Sequence, residues 1–372
     1  MTDFTDLPEL ASRALGGTVV HANDEFFAAR DNLITAAPPT FAPATFGAKG
    51  QVYDGWETRR RREPGDDHAI VRLGAPGVIH GVVVDTAFFT GNYPPYASVE
   101  ACGMEGYPGP AELAAAEWTP IVARSALRGD ARNPFPVTDR HRYTHVRLRI
   151  YPDGGVARLR VHGTVVPDPR LFPDGLVDLA AMEYGGLVVG CSDMFYGSPQ
   201  QLIMPGLARV MGEGWETARR RDAGNDWVRV RLAAPGRIRL VELDTSHFKG
   251  NAPAAARLTG VDTRVADPAD PAAWVEILPR TRLQPDTRHR FPVGFGPIVG
   301  SPGPAGAGVG PTVTEVRLDV YPDGGMARMR LSGVIDAAGL AELRRAWRAA
   351  LPPAHARAIV GGWPEWTAGS EG

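Results

Sequence analysis

Two short runs set an acid and several guanidinium groups beside an aromatic ring: Trp56-Glu57-Thr58-Arg59-Arg60-Arg61-Arg62 and Trp215-Glu216-Thr217-Ala218-Arg219-Arg220-Arg221. A planar guanidinium binds a carboxylate through two parallel N–H bonds, and a neighbouring Glu either orients it or accepts from an amide-rich ligand. An isolated basic run is usually a solvated face. Here Arg60 and Arg62 stand opposite Arg219 and Arg221 in two diverged copies, so they are candidates for holding an anionic substrate. A second duplicated stretch follows an apolar strand: Asp85-Thr86-Ala87-Phe88-Phe89-Thr90-Gly91-Asn92 and Asp244-Thr245-Ser246-His247-Phe248-Lys249-Gly250-Asn251. Turn chemistry accounts for the glycines and asparagines. Asp85 and Asp244 are read as catalytic, and Asn92, Asn251 and Lys249 as substrate-binding alongside Glu57 and Glu216. The copies differ where Phe88 becomes His247 and Thr90 becomes Lys249, which suggests unequal roles.

Histidine titrates near neutral pH and can hand a proton to a leaving nitrogen. His141 and His289 both sit in Arg-His-Arg-aromatic contexts and are read as a repeated acid/base candidate, with His247 a third. His21, His68, His80, His145, His162 and His355 have no counterpart and are read as structural. Asp153 and Asp323, in Pro-Asp-Gly-Gly turns, are read as turn residues.

These residues must be positioned by a duplicated scaffold, because the chain repeats itself. Gly16 to Val20 matches Gly185 to Val189 at an offset of 169, and Trp56 matches Trp215 at 159. Arg140 to Tyr143 is aligned with Arg288 to Phe291 at 148, and Tyr151 to Gly155 with Tyr321 to Gly325 at 170. The jump from 148 to 170 reads as a 22-residue insertion, the Gly/Pro-rich segment from Pro292 to Val313, expected as a flexible surface loop. The expected plan is one repeat over 1–167, a second over 176–335, and a C-terminal helix and tail over 336–372. Val146, Leu148 and Ile150 alternate with arginines, as do Ala157, Leu159 and Val161 after the turn, which predicts a β-hairpin. Val228-Val230-Leu232 and Ile238-Leu240-Leu243 predict two more strands with a turn between them. Many short antiparallel strands imply an all-β sandwich. Asp336 is expected to cap a helix carrying Leu340, Leu343, Trp347 and Leu351, and Leu176 to Ala181 to form a short linker helix.

The 372 residues, 44% hydrophobic and 22% charged, suffice for two cores. A net charge of -2 argues against nucleic acid or an anionic membrane as partner. There is no apolar run long enough to span a bilayer and no leader-like start, so the expected location is cytoplasmic. Two cysteines without CxxC spacing exclude a disulfide framework and a cysteine zinc site. HExxH, P-loop and GxSxG motifs are missing. No cofactor is identified from the residues.

The motifs Asp24-Glu25-Phe26-Phe27, Asp54 to Arg60, Val84 to Pro95, Ile150 to Arg160, Gly214 to Arg220 and Asp244 to Asn251, in this order and duplicated, resemble the allantoicase family over nearly the whole chain. Asp67-His68-Ala69 departs from the family's Asp-Trp pair, seen here at Asp226-Trp227, and the loop from Pro292 is long. The resemblance implies two tandem jelly-roll, galactose-binding-like repeats. It also implies hydrolysis of allantoate to ureidoglycolate and urea, a homo-oligomer, and compatibility with a divalent metal for which no ligand spacing is seen. In that reading an arginine (Arg60, Arg62, Arg219 or Arg221) holds the carboxylate, and Glu57, Glu216, Asn92 and Asn251 read the ureido groups. Asp85 or Asp244 activates water, and His141, His247 or His289 protonates the leaving nitrogen. The rival is a non-catalytic pair of binding modules with Trp56, Trp118, Trp215 and Trp274 as a stacking platform.

Overall fold

The structure, a computed structural model, describes residues 3–172, 175–293 and 310–360. The chain separates into two compact units. One contains the described residues through Val166 and those from Trp347 onward; the other is Pro167–Ala346.

The strands of the first unit are β1 (Thr18–Ala22), β2 (Phe46–Gly47), β3 (Gly50–Gln51), β4 (Trp56–Glu57), β5 (Asp67–Asp85), β6 (Tyr96–Cys102), β7 (Thr119–Ala126), β8 (Arg132–Pro136), β9 (Arg142–Tyr151), β10 (Gly155–Val156) and β11 (Arg158–Val165), with one short helix, α1 (Pro110–Ala114). The sandwich is organised by β5. Its first half pairs with β1 and β9, its second half with β8 and β11, and the β5–β9 register breaks between Arg72 and Gly77. That break falls on Gly74-Ala75-Pro76-Gly77, where a Cβ on Gly77 would lie 2.2 Å from the Thr164 carbonyl oxygen, so only glycine admits the close approach. The long strand thereby passes from one layer to the other, and the apolar faces of both halves, with Val71, Leu73, Val82 and Val84 fully buried, enclose a single core.

The second unit repeats the design with β12 (Val177–Asp178), β13 (Leu187–Cys191), β14 (Trp215–Glu216), β15 (Asp226–Asp244), β16 (Ala255–Val261), β17 (Val275–Arg282), β18 (Arg288–Pro292), β19 (Val313–Tyr321), β20 (Gly325–Met326) and β21 (Arg328–Ile335). Here β15 plays the part of β5, pairing with β13 and β19 and then with β18 and β21. Both units are jelly-roll sandwiches.

Three expectations need correction. The alternating segments around Pro-Asp-Gly-Gly form no hairpin: β9 and β11 each pair with β5 and not with each other. Between them Gly155–Val156 leaves to pair with Trp56–Glu57. A period of two shows that a segment is a strand, but not which strand lies beside it. Val228 to Leu243 lies within one 19-residue strand, Asp226–Asp244, because β15 absorbs Ala233-Ala234-Pro235-Gly236 as a register shift instead of turning. Leu176 to Ala181 is not helical either; Val177–Asp178 adds to β21.

Asp336 does cap a helix. Its Oδ1 accepts the Gly339 N–H at 2.6 Å and opens α2 (Ala337–Ala350), on which Trp347 is buried. A further helix, α3 (Pro353–Val360), follows. The insertion lies largely in residues 294–309, outside the described residues.

Candidate active site

The Trp-Glu-Thr segments lie between two neighbours that fix them. In the first unit Glu57 N–H donates to the Ala28 carbonyl at 3.2 Å, the Phe27 N–H donates back to Glu57, and on the other edge Gly155 pairs with Glu57. Trp56 is fully buried and its Nε1 donates to the Asp24 carbonyl at 2.7 Å, anchoring the strand through the core. Glu57 is then set with Oε1 accepting from Asn92 Nδ2 at 2.7 Å. Only 9% exposed, the Glu57 carboxyl is pushed above its ordinary pKa by burial, against which the Asn92 bond pulls. The second unit reproduces the arrangement: Trp215 Nε1 donates to the Asp193 carbonyl at 2.8 Å, and Asn251 Nδ2 donates to Glu216 Oε1 at 2.6 Å. Phe26 and Phe27 flank the first pair half-exposed, and Phe195 and Tyr196 hold the corresponding places, more exposed, in the second.

The arginine runs divide into structural and open members. Arg59 is tied to Asp24, and Arg61 to Asp67 at 2.7 Å, while the Arg61 N–H donates to Asp153 Oδ2 at 2.8 Å. Arg220 behaves likewise toward Asp226 and Asp323. Asp153 and Asp323 therefore do more than make a turn: each pins the arginine run from the chain crossing between layers. Arg60, Arg62, Arg219 and Arg221 are exposed, and among the described residues they make no hydrogen bond or ion pair. These four are the guanidinium groups available to an anion.

Asp85 and Asp244 are buried, and each accepts the amide two residues on, from Ala87 at 2.9 Å and Ser246 at 2.8 Å. They set the turn that carries Phe88 and His247 at positive φ, 68° and 73°, with their amides donated to Asp130 and Asp286. His247 Nε2 lies 3.0 Å from the Ala208 carbonyl, and Lys249 is exposed. His141 lies outside these turns, just before β9, with Nδ1 3.0 Å from Asp139. Among the described residues none of Asp85, Asp244, His141, His247 and His289 is hydrogen-bonded to either Glu–Asn pair.

The equivalence of His141 with His289 does not survive. His289 is on β18, whose counterpart is β8, so its partner at an offset of 156 is Asn133. Asn133 Nδ2 donates to the Val84 carbonyl and its Oδ1 accepts the Arg128 N–H; His289 places Nδ1 3.0 Å from the Leu243 carbonyl and accepts the Gln284 N–H on Nε2 at 2.8 Å. The imidazole reproduces the amide's two bonds, with the proton on Nδ1, and both nitrogens are engaged. With β18 in this register the insertion before β19 measures 14 residues, the difference between offsets of 170 and 156, rather than 22.

The stacking platform also fails: Trp56 and Trp215 are fully buried, while Trp118 and Trp274 lie under Arg147 and Arg229. Among the described residues no group of three or more His, Cys, Asp or Glu side chains comes together to hold a metal ion. Two buried arginines escaped the sequence reading. Arg158 meets Asp54 at 2.9 Å and the Ala37 carbonyl, and Arg328 bonds the Gly206 and Glu213 carbonyls, so each fastens a loop of its own unit. Their signal was an arginine duplicated at an offset of 170 at the first position of β11 and of β21.

Comparison with known proteins agrees with this duplication. The family model described as the allantoicase repeat matches residues 8–166 and 177–336. A probable allantoicase of Nocardia farcinica is 63% identical over 89% of this chain and 95% of that protein. Another, of Streptomyces avermitilis, is 47% identical over 91% of this chain and 89% of its own length. The crystal structure of allantoicase from Saccharomyces cerevisiae superposes with a TM-score of 0.70 at 32% identity, covering 88% of this chain and 92% of that one. The chain belongs to the allantoicase family.

Proposed function

We propose that this protein is an allantoicase, hydrolysing the C–N bond that joins one ureido arm of allantoate to its central carbon, to give ureidoglycolate and urea. The observation that carries the reading is the duplicated Glu–Asn pair next to exposed, unpartnered arginines, in a chain 63% identical to a probable allantoicase. Allantoate presents one carboxylate and two ureido arms on a single carbon. Arg60 and Arg62, or Arg219 and Arg221, supply the fork for the carboxylate, and Glu57 with Asn92 or Glu216 with Asn251 supplies acceptors and donors for the ureido groups. Asp85 and Asp244 serve by holding the turns that aim Asn92 and Asn251. His247 is the ring placed by such a turn, and Lys249 follows it as a further cation.

The cysteines Cys102 and Cys191 are free, which supports a reducing, cytoplasmic setting. The exposed Met194, Phe195, Tyr196, Leu207 and Val210 of the second unit support a homo-oligomer. No helix among the described residues is long and apolar enough to cross a membrane.

Urea release from allantoate by the purified protein tests the reading. The double variant Arg60→Ala/Arg62→Ala is expected to raise KM by roughly 10- to 100-fold, the loss of a charge-assisted contact, and the matching Arg219/Arg221 variant reports whether the second site shares the work. Absence of urea from folded wild-type protein would refute the proposal.

A further inference from the structure

Most buried or half-buried carboxylates of the first unit are matched to an arginine. Asp24 is on Arg59, Asp54 on Arg158, Asp67 on Arg61, and Glu100 on Arg147 and Arg149. Glu57 is not. Its single side-chain partner is the neutral amide of Asn92, which engages Oε1 and leaves Oε2 uncommitted in a site that is 9% exposed. Taking a carboxyl out of water disfavours its charged form, and a neighbouring guanidinium opposes that shift where one is present. Arrangement and surroundings thus differ from those of the structural acids.

We propose that Glu57, held by Asn92, is the residue that carries the proton during C–N cleavage, and that Glu216 with Asn251 serves recognition. This rests on the allantoate reading above. The C–N bond to the departing arm breaks, its electron pair goes to nitrogen, and that nitrogen takes a proton from Glu57 to leave as neutral urea. The lone pair of the remaining ureido nitrogen closes a C=N bond, and its N–H proton is lost to the Glu57 carboxylate. Water then adds to the carbon: Glu57 returns its proton to the imine nitrogen, the water oxygen bonds to carbon, and the water's second proton passes to the Glu57 carboxylate, giving ureidoglycolate and Glu57 protonated as at the start, with nothing oxidised or reduced. Burial raises the Glu57 carboxyl, which brings its protonated form toward the working range. Glu216 keeps the same amide bond in a more open setting, which suits contact rather than proton transfer.

Three variants in the full-length protein test the assignment. Glu57→Gln keeps an acceptor for Asn92, so it should melt like wild type, yet lose at least ~100-fold in kcat with KM changed less than about threefold. Glu216→Gln should lose less than about tenfold in kcat and act mainly on KM. Asn92→Ala removes the bond that favours ionised Glu57, so the pH limb of kcat assigned to this carboxyl should move to higher pH. The other charged groups on the packed elements are engaged elsewhere: Asp24 with Arg59, Glu25 with Arg30, Lys49 with the Phe26 carbonyl, Asp153 with the Arg61 amide. Asp85, in the turn that leads to Asn92, accepts the Ala87 amide, and Arg60 and Arg62 face solvent. A Glu57→Gln enzyme within about threefold of wild-type kcat overturns the inference, as does an Asn92→Ala profile with its limb unmoved. An inactive wild type would instead refute the functional reading.

Discussion

Asn133 and His289 perform one task with different chemistry, and that makes the task testable. His289→Asn should leave stability within about 1 kcal/mol, because the amide already makes these bonds in the first unit. His289→Ala strands the Gln284 N–H and the Leu243 carbonyl and should cost about 1–3 kcal/mol by chemical denaturation. A second residue-scale prediction concerns Glu9, largely buried beside Arg160 with burial raising its carboxyl from 4.5 to about 7. The folded state then holds a proton that the unfolded chain has released, so Glu9 contributes its full stability below pH 4.5 and loses it as pH rises through 7. The amplitude is at most on the order of 3 kcal/mol. Denaturation midpoints for Glu9→Gln should lack that falling slope between pH 4.5 and 7; an unchanged slope would contradict it. Residue types of the site were legible in the sequence, since Glu57, Asn92 and the arginines stood out by duplication. The four open arginines, Arg60, Arg62, Arg219 and Arg221, were the ones duplication singled out; what the sequence did not show was that Arg61 and Arg220 are each held by the acid six residues on, Asp67 and Asp226.

At the scale of elements, the chain crossing between layers is the part that positions the site. Gly155 pairs with Glu57 and donates its N–H to the Asn92 carbonyl at 2.7 Å, so it touches both members of the pair. A Cβ there would lie 2.0 Å from the buried Phe89 ring, and one on Gly325 would lie 1.9 Å from Phe248. Gly155→Ala should therefore displace Phe89, lower stability by about 1–3 kcal/mol and reduce turnover together with Tm. A variant with wild-type Tm and kcat would show that the crossing does not set the pair. Strand existence was legible from alternation in Val146 to Ile150 and Ala157 to Val161. Strand partnership was not: a hairpin and a crossing to another layer share the same period, and the distinction lies in β5, which is long enough to pair with both.

The whole molecule is a duplication whose copies have diverged in burial more than in plan. Matching motifs at offsets of 169, 159 and 170 made the two repeats readable without coordinates, because a repeated unit must bury the same tryptophan and bend the same long strand. The one misaligned segment, at 148, followed an arginine-histidine coincidence where the ladder pairs β18 with β15 as β8 pairs with β5. What the duplication builds is a pair of Glu–Asn centres beside open guanidinium groups, and the account stands on their acting on allantoate. The most direct test is a 13C NMR time course of allantoate with the full-length protein. The account predicts one ureidoglycolate and one urea for each allantoate consumed, and allantoate that persists unchanged with folded protein would contradict it.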